Sequence, residues 1–179
     1  YLSKRGVHST RFDPDLFLVE ARSNAGCGVI FEPSFTEKSV EMLSSSIDPD
    51  VESTLHYYPL LAQGEIFPVP DPEKLPKLHP TPMKRDGSLD RVKYLHGLFE
   101  AVAKVERDGY KVFEECDAPV EEVSNSLDTH PHYRLCVLFV CMYLLPQIIS
   151  TGKLKDNKVL EAMRERISGK SVRYGAILL

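Results

Sequence analysis

From Asp90 to about Cys116 the chain sets Val92, Leu95, Leu98/Phe99, Val102, Val105 and Tyr110 on one face of a helix. Asp90 has the short acceptor side chain of an N-cap. At the helical rise per residue the element would be roughly 40 Å long, a spanning helix of a core. Other apolar elements must cover such a stripe, so the chain is expected to fold as one layered domain around it.

The size agrees, since 179 residues suffice for one domain with a proper core and are short for two. With 42% hydrophobic and 27% charged residues, the composition is that of an ordinary globular protein. A formal charge of -4 gives no field that would attract a polyanion, which argues against a nucleic-acid partner. The longest apolar run, Leu135 to Leu145, falls well short of the roughly 20 residues that cross a bilayer. No membrane association is expected. Cys27, Cys116, Cys136 and Cys141 form no CxxC pair, which favours reduced thiols and an intracellular compartment, cytoplasm or plastid. The opening Tyr1-Leu2-Ser3-Lys4-Arg5 is expected to be an internal point of a longer protein.

Phe17-Leu18-Val19-Glu20-Ala21 follows the turn residues Asp13-Pro14-Asp15 and reads as a buried strand. It runs into Ser23-Asn24-Ala25-Gly26-Cys27-Gly28, small residues that permit close backbone packing. As a phosphate cradle this loop lacks the lysine of a P-loop, so a packing role is the better expectation. Ser34-Phe35-Thr36-Glu37 fits a capping box, followed by Val40, Leu43 and Ile47 at helical spacing and a stop at Asp48-Pro49-Asp50. Between Tyr57 and Pro82 seven prolines exclude regular helix, predicting an irregular strap over the surface. The acidic pairs Asp13/Asp15, Asp48/Asp50 and Asp71/Glu73 each flank a proline and read as turn residues rather than metal ligands. A second helix carries Val159, Leu160, Met163 and Ile167, with Asn157 as N-cap and Gly169 just past its end.

The segment from Val123 to Gln147 fits neither the helical nor the strand template well. Its ends can be encoded by a splice donor at Val123-Ser124 and by a pyrimidine-rich tract closing in CAG at Gln147, as in a retained intron translated in frame. Excision would join Glu122 to Ile148. On that reading its apolar run has no partner built into the fold and should pack poorly. His130, His132, Cys136 and Cys141 lie within it but lack the CxxC or HxxxH-type spacing of a zinc site.

Several stretches, in order, resemble the FGGY carbohydrate kinases of the ribulose and xylulose kinase type. Phe17 to Gly26 is similar to the family's WLVGGASNTGG segment. Ile47-Asp48-Pro49-Asp50, then His56-Tyr57-Tyr58-Pro59-Leu60-Leu61 and Gly64-Glu65-Ile66-Phe67-Pro68, resemble its IDP, YYPLL and GERFP words. Tyr94 to Ala103 is similar to FLxGLLEGIA. Each word is weak alone. Their shared order over about 120 residues is far more specific.

The resemblance implies an α/β fold, the incomplete C-terminal lobe of the actin-like, ribonuclease-H-like ATPase architecture, over residues 1–179 with the anomalous insert 123–147. It implies ATP with Mg²⁺ as cofactor, a small sugar such as ribulose or xylulose as substrate, and an N-terminal lobe as partner. The family's catalytic Asp and sugar-binding residues lie in that first lobe, so no catalytic residue is assigned here. Alone, the chain is expected to be inactive. What this lobe keeps is an adenosine turn, GGGAKN in the family, matched after the expected strand Ile148 to Thr151 by Gly152-Lys153-Leu154-Lys155-Asp156-Asn157. Gly152 and Asn157 are its candidate cofactor-binding residues. Lys153 and Leu154 replace two glycines, and the family's linking residues before its closing helix are shortened around Gly169 to Val172. Those departures support a second expectation, a degenerate non-catalytic remnant serving interaction or regulation. The same turn also reads as a polar loop capping the following helix.

Overall fold

The computed structural model describes residues 2–13, 16–26, 28–31, 35–116, 123–124, 135–139, 158–169 and 172–173. After a 3-10 turn, Leu2–Arg5, strand β1 (Val7–Asp13) pairs antiparallel with β2 (Leu16–Ala21), Val7 opposite Ala21 and Asp13 opposite Leu16. The expected strand is β2. Its hairpin partner β1 adds to that expectation, and its Val7 is fully buried against the end of the long helix.

Helix α1 (Gly28–Phe31) and helix α2 (Glu37–Ser44) follow. The capping box is real but sits two residues later than Ser34. Thr36 is the N-cap, its Oγ1 accepting from Ser39 N at 3.2 Å, while Ser39 Oγ accepts from Thr36 N at 2.9 Å. Serine at the third helical position satisfies the reciprocal bond that glutamate makes in the commoner version. Ile47 lies beyond the helix yet is buried, so the periodicity marked its burial and overran the helix end. Asp48 and Asp71 act as turn residues: their Oδ1 atoms accept from Asp50 N and Glu73 N, each at 3.0 Å.

The long helix, α3, spans Arg91–Glu115, with Asp90 as N-cap accepting from Lys93 N at 3.2 Å. Its 25 residues make it about 38 Å long. It threads all three apolar clusters. Leu95, Leu98, Phe99 and Val102 meet Val29, Ile30, Phe35, Val40 and Tyr57; Val105 meets Ala25 and Leu60; Tyr110 and Phe113 meet Val7, Ala21 and Phe67. One stripe thus collects the hairpin, the small-residue loop, α2 and the proline strap into a common core.

The strap has no helix, as its prolines require, but it does not merely lie over the surface. Leu60 and Phe67 are driven into the core, and isolated bridges Tyr58 to Lys77 and Glu65 to Asp71 fold the segment back on itself. Apolar residues spaced among the prolines supply that inward pull.

Within the segment read as an insert, β3 (Val123–Ser124) pairs parallel with β5 (Val172–Arg173), and β4 (Leu135–Phe139) pairs parallel with β2. The sheet order is β1-β2-β4. The expectation that this apolar run has no strand partner therefore fails at Leu135–Phe139. A Leu-Cys-Val-Leu-Phe run is short, continuous and apolar, the sequence pattern of parallel-sheet strands. Helix α4 (Lys158–Ser168) is the second predicted helix, and Gly169 ends it with φ +67°, donating its N–H to Glu165 O at 2.9 Å. The expected strand Ile148 to Thr151 lies outside the described residues.

Candidate functional site

Gly152 and Asn157, the candidate adenosine-turn residues, lie outside the described residues, as do Lys153 and Leu154. The helix that begins immediately after the turn is described. Leu160 and Met163 of α4 are fully buried in the main core against α3, and Arg166 reaches Glu100 of α3 at 3.2 Å. The helix that follows Asn157 in the chain is thus held to α3 by apolar and ionic contacts.

Two buried carboxylates organise the rest, and neither was anticipated from the sequence. The first is Glu65 in the strap, 3% exposed. One oxygen accepts from Asn24 N at 2.8 Å and Ile66 N at 2.9 Å; the other accepts from Ser23 Oγ and Tyr58 Oη, both at 3.0 Å. Ser23 Oγ in turn accepts from Ala25 N, Asn24 Nδ2 donates to Gly64 O, and Gly26 N donates to Pro59 O. The small-residue loop after β2 is therefore closed onto the strap, which is the packing role expected of it. Burial, reinforced by the neighbouring Glu65 charge and hydrogen bond, pushes the Tyr58 hydroxyl far above the ordinary tyrosine range. Tyr58 thus remains a donor at any physiological pH, with Lys74 Nζ 4.6 Å from its ring centroid.

Beside this clasp, Asn24 and Leu61 to Gly64 line a notch of about 40 Å³. That is room for a water and far below the roughly 300 Å³ at which small-molecule sites begin.

The second carboxylate, Glu100, is 1% exposed in the middle of α3. Its Oε2 accepts from Ser53 N at 2.7 Å and Arg166 Nη2 at 3.2 Å, and its Oε1 lies 2.8 Å from Lys104 Nζ. Lys104 also reaches Glu52 at 3.2 Å, and His96 Nε2 stands 3.6 Å from Glu100 and 3.1 Å from Val51 O. Burial alone would raise the Glu100 carboxyl, but the Lys104 and Ser53 hydrogen bonds and the charges of Lys104 and Arg166 outweigh it and hold it below the usual range. Burial would likewise lower Lys104, and its bonds to Glu100 and Glu52 raise it instead. Glu100 thereby ties three pieces together: α3, the segment just before the strap and α4.

Both Glu65 oxygens accept from protein donors, as does Glu100 Oε2, whereas the buried Glu100 Oε1 faces Lys104 Nζ at 2.8 Å as an ion pair and has no further hydrogen-bond partner among the described residues. Among the described residues no group of three His, Cys, Asp or Glu side chains converges as a metal would need, so no Mg²⁺ ligand is assigned to them. Nor is any of their helices long and apolar enough to cross a membrane. No family model matches the chain.

Glu100 was detectable in principle. It interrupts the apolar stripe between Phe99 and Val102, with His96 and Lys104 one turn to either side, the spacing of side chains that meet on a helix. Glu65 carries a weaker local signal, because its burial depends on Ser23 and Asn24, 42 and 41 residues earlier, as well as on the nearby Tyr58, Ile66 and Phe67.

Proposed function

We propose that this chain is the C-terminal, nucleotide-binding lobe of an ATP-dependent carbohydrate kinase that phosphorylates a hydroxyl of a small sugar, a pentulose in the first instance. The observation that carries this reading is that the separate stretches resembling the FGGY kinases are physically joined. Ser23 and Asn24 of the first meet Tyr58 and Glu65 of the second in one hydrogen-bonded cluster. Gly97 of the third leaves the space that Tyr57 and Leu55 fill, since a Cβ there would stand 2.9 Å from the Tyr57 ring. A shared fold would require such contacts, and they are the support for this reading.

On this reading the Gly152 to Asn157 turn approaches adenosine through its backbone, and α4 holds it in place from behind. Phosphoryl transfer depends on positioned phosphates, Mg²⁺ and a base aimed at the acceptor hydroxyl, all contributed across a cleft by an opposing lobe. The isolated chain should then turn over no pentulose, whereas the chain joined to the upstream lobe of its parent protein should phosphorylate one. Detectable sugar phosphorylation by the 179-residue chain alone would overturn the division of labour.

A second reading, a remnant that has lost nucleotide binding and serves interaction or regulation, draws on Lys153 and Leu154 in place of glycines. Calorimetric titration with ATP separates the two. Replacing Lys153 and Leu154 by glycine should tighten ATP binding about tenfold if the turn is an adenosine site, a gain of one strained close approach relieved. An unchanged titration favours the remnant.

A further inference from the structure

Thr81-Pro82 is the single Ser-Pro or Thr-Pro dipeptide in the chain, and Lys84 and Arg85 follow it at the third and fourth positions. The segment presents Thr81, Lys84 and Arg85 to solvent, with Met83 58% exposed and Pro82 half-buried. Prolines on both sides of Thr81 bar it from a helix and remove backbone donors. Among the described residues, no backbone group pairs with the Thr81 N–H or carbonyl, and the hydroxyl makes only a long 3.4 Å contact with His79 Nδ1.

The segment is nevertheless clamped at both shoulders. Tyr57 Oη donates to Pro80 O at 2.7 Å, and Asp90 N donates to Pro82 O at 2.9 Å. Burial, with Tyr94 adding to it, pushes the Tyr57 hydroxyl up to about 12, so the first clamp keeps its proton. The result is an outward hydroxyl on a residue whose own backbone is unpaired, held between bonded carbonyls at Pro80 and Pro82 and followed by two exposed cations. An enzyme that grips its substrate in extended form meets no helix here, and beyond Pro82 it must open one short exposed turn, closed by Lys84 N to Ser88 O at 2.8 Å and the Met83 to Leu89 bridge.

We propose that Thr81 is a phosphoacceptor for a proline-directed serine/threonine protein kinase that seats Pro82 in an apolar pocket and reads Lys84 with an acidic group. In the transfer, Thr81 Oγ1 attacks the γ-phosphorus of ATP and the bond to the bridging oxygen of ADP breaks. The hydroxyl proton passes to an acidic side chain of the kinase. The product carries about two negative charges beside Lys84 and Arg85, which favours the modified state electrostatically.

The test uses the full chain, ATP with Mg²⁺ and a purified kinase of the cyclin-dependent class, read by intact mass and site mapping. One phosphate on Thr81 is expected, lost in Thr81→Ala and Pro82→Ala and retained in Thr81→Ser, which controls for folding. Lys84→Ala should slow incorporation about tenfold, the scale of one charge-assisted contact. Absence of phosphate on the folded chain overturns the proposal, including the case in which a free peptide of residues 77–88 is modified. So does incorporation that survives Thr81→Ala, or that is indifferent to both Pro82→Ala and Lys84→Ala.

Discussion

Glu65 and Glu100 are both buried glutamates that join distant parts of the chain, yet they are satisfied in opposite ways. Glu65 is surrounded by neutral donors, three backbone N–H groups, a serine and a tyrosine hydroxyl. Glu100 is held by Lys104 and Arg166 along with one backbone N–H. Neutral donors around a buried carboxylate have no other solvent to turn to. The cations of the second cluster remain 29% and 27% exposed and can return to water. The first clasp should therefore be the costlier to break and the less sensitive to salt.

The largest effect is expected at Glu65→Ala. It strands Ser23 Oγ, Asn24 N, Ile66 N and Tyr58 Oη in a closed environment and should cost about 3–5 kcal/mol in urea denaturation. Glu65→Gln keeps one acceptor oxygen and should cost about half as much. If alanine proves as mild as glutamine, the cluster is more open to water than the comparison assumes.

Next comes Glu100→Gln, expected to cost about 1–3 kcal/mol at neutral pH, less than a sealed ion pair because its cations are resolvated. Its pH dependence sharpens the contrast. The Glu100 carboxyl titrates lower in the folded chain than its ordinary 4.5, so its contribution is complete above that value and lost as pH falls through the lower folded value. Lys104 titrates above its ordinary 10.5, so its share is present below that value and lost as pH rises through the folded one. Stability attributable to this cluster should be flat between those limits. In Glu100→Gln the acid limb of the stability profile should be shallower than in wild type; an identical acid limb would remove Glu100 from the account.

A third test concerns the space between the two clasps. In Gly97→Ala the added Cβ would stand 2.9 Å from Tyr57 Cε2 and 3.0 Å from Leu55 Cβ. The tyrosine ring can tilt, but a Cβ is fixed to its backbone, so α3 and the strap must separate slightly. Overpacking of about 1–3 kcal/mol opposes a helix-propensity gain of about 1 kcal/mol, leaving a net loss of about 1 kcal/mol. A stabilised variant would mean that the strap yields freely here.

How far the sequence announced this arrangement differs element by element. β2, α3, α4 and the packing role of the Ser23 to Gly28 loop were legible, because periodicity, caps and small residues are local signals. β1 was missed because Val-His-Ser-Thr-Arg-Phe alternates only loosely. β4 was misread because a continuous apolar run becomes a strand only through its partner, here β2, more than a hundred residues earlier in the chain. Glu65 was hard to read for a related reason: two of its donors, Ser23 and Asn24, come from 42 and 41 residues earlier, although Tyr58, Ile66 and Phe67 lie close by in the chain. The candidate turn at Gly152 to Asn157 rests on the resemblance, with the anchored start of α4 as its nearest described neighbour.

The smallest expected effect isolates the contact that ties α4 to α3, and it decides whether the ionic clasp holds the helix behind the candidate turn or only accompanies it. In a double-mutant cycle of Glu100→Gln and Arg166→Ala, the coupling should be about 0.5–1 kcal/mol at low salt, because Arg166 is partly solvated and its apolar neighbours Leu160 and Met163 already dock the helix. Raising the ionic strength to about 1 M contracts the screening length to about 3 Å and should remove much of that coupling. The matching cycle of Glu65→Gln and Tyr58→Phe pairs a charge with a neutral hydroxyl in a more enclosed setting, and its coupling should persist through the same salt range. Equal salt sensitivity in the two cycles would erase the distinction between the clasps. A larger, salt-resistant coupling for Glu100 with Arg166 would instead mean that the ion pair is sealed from water and that α4 depends on it for its seat.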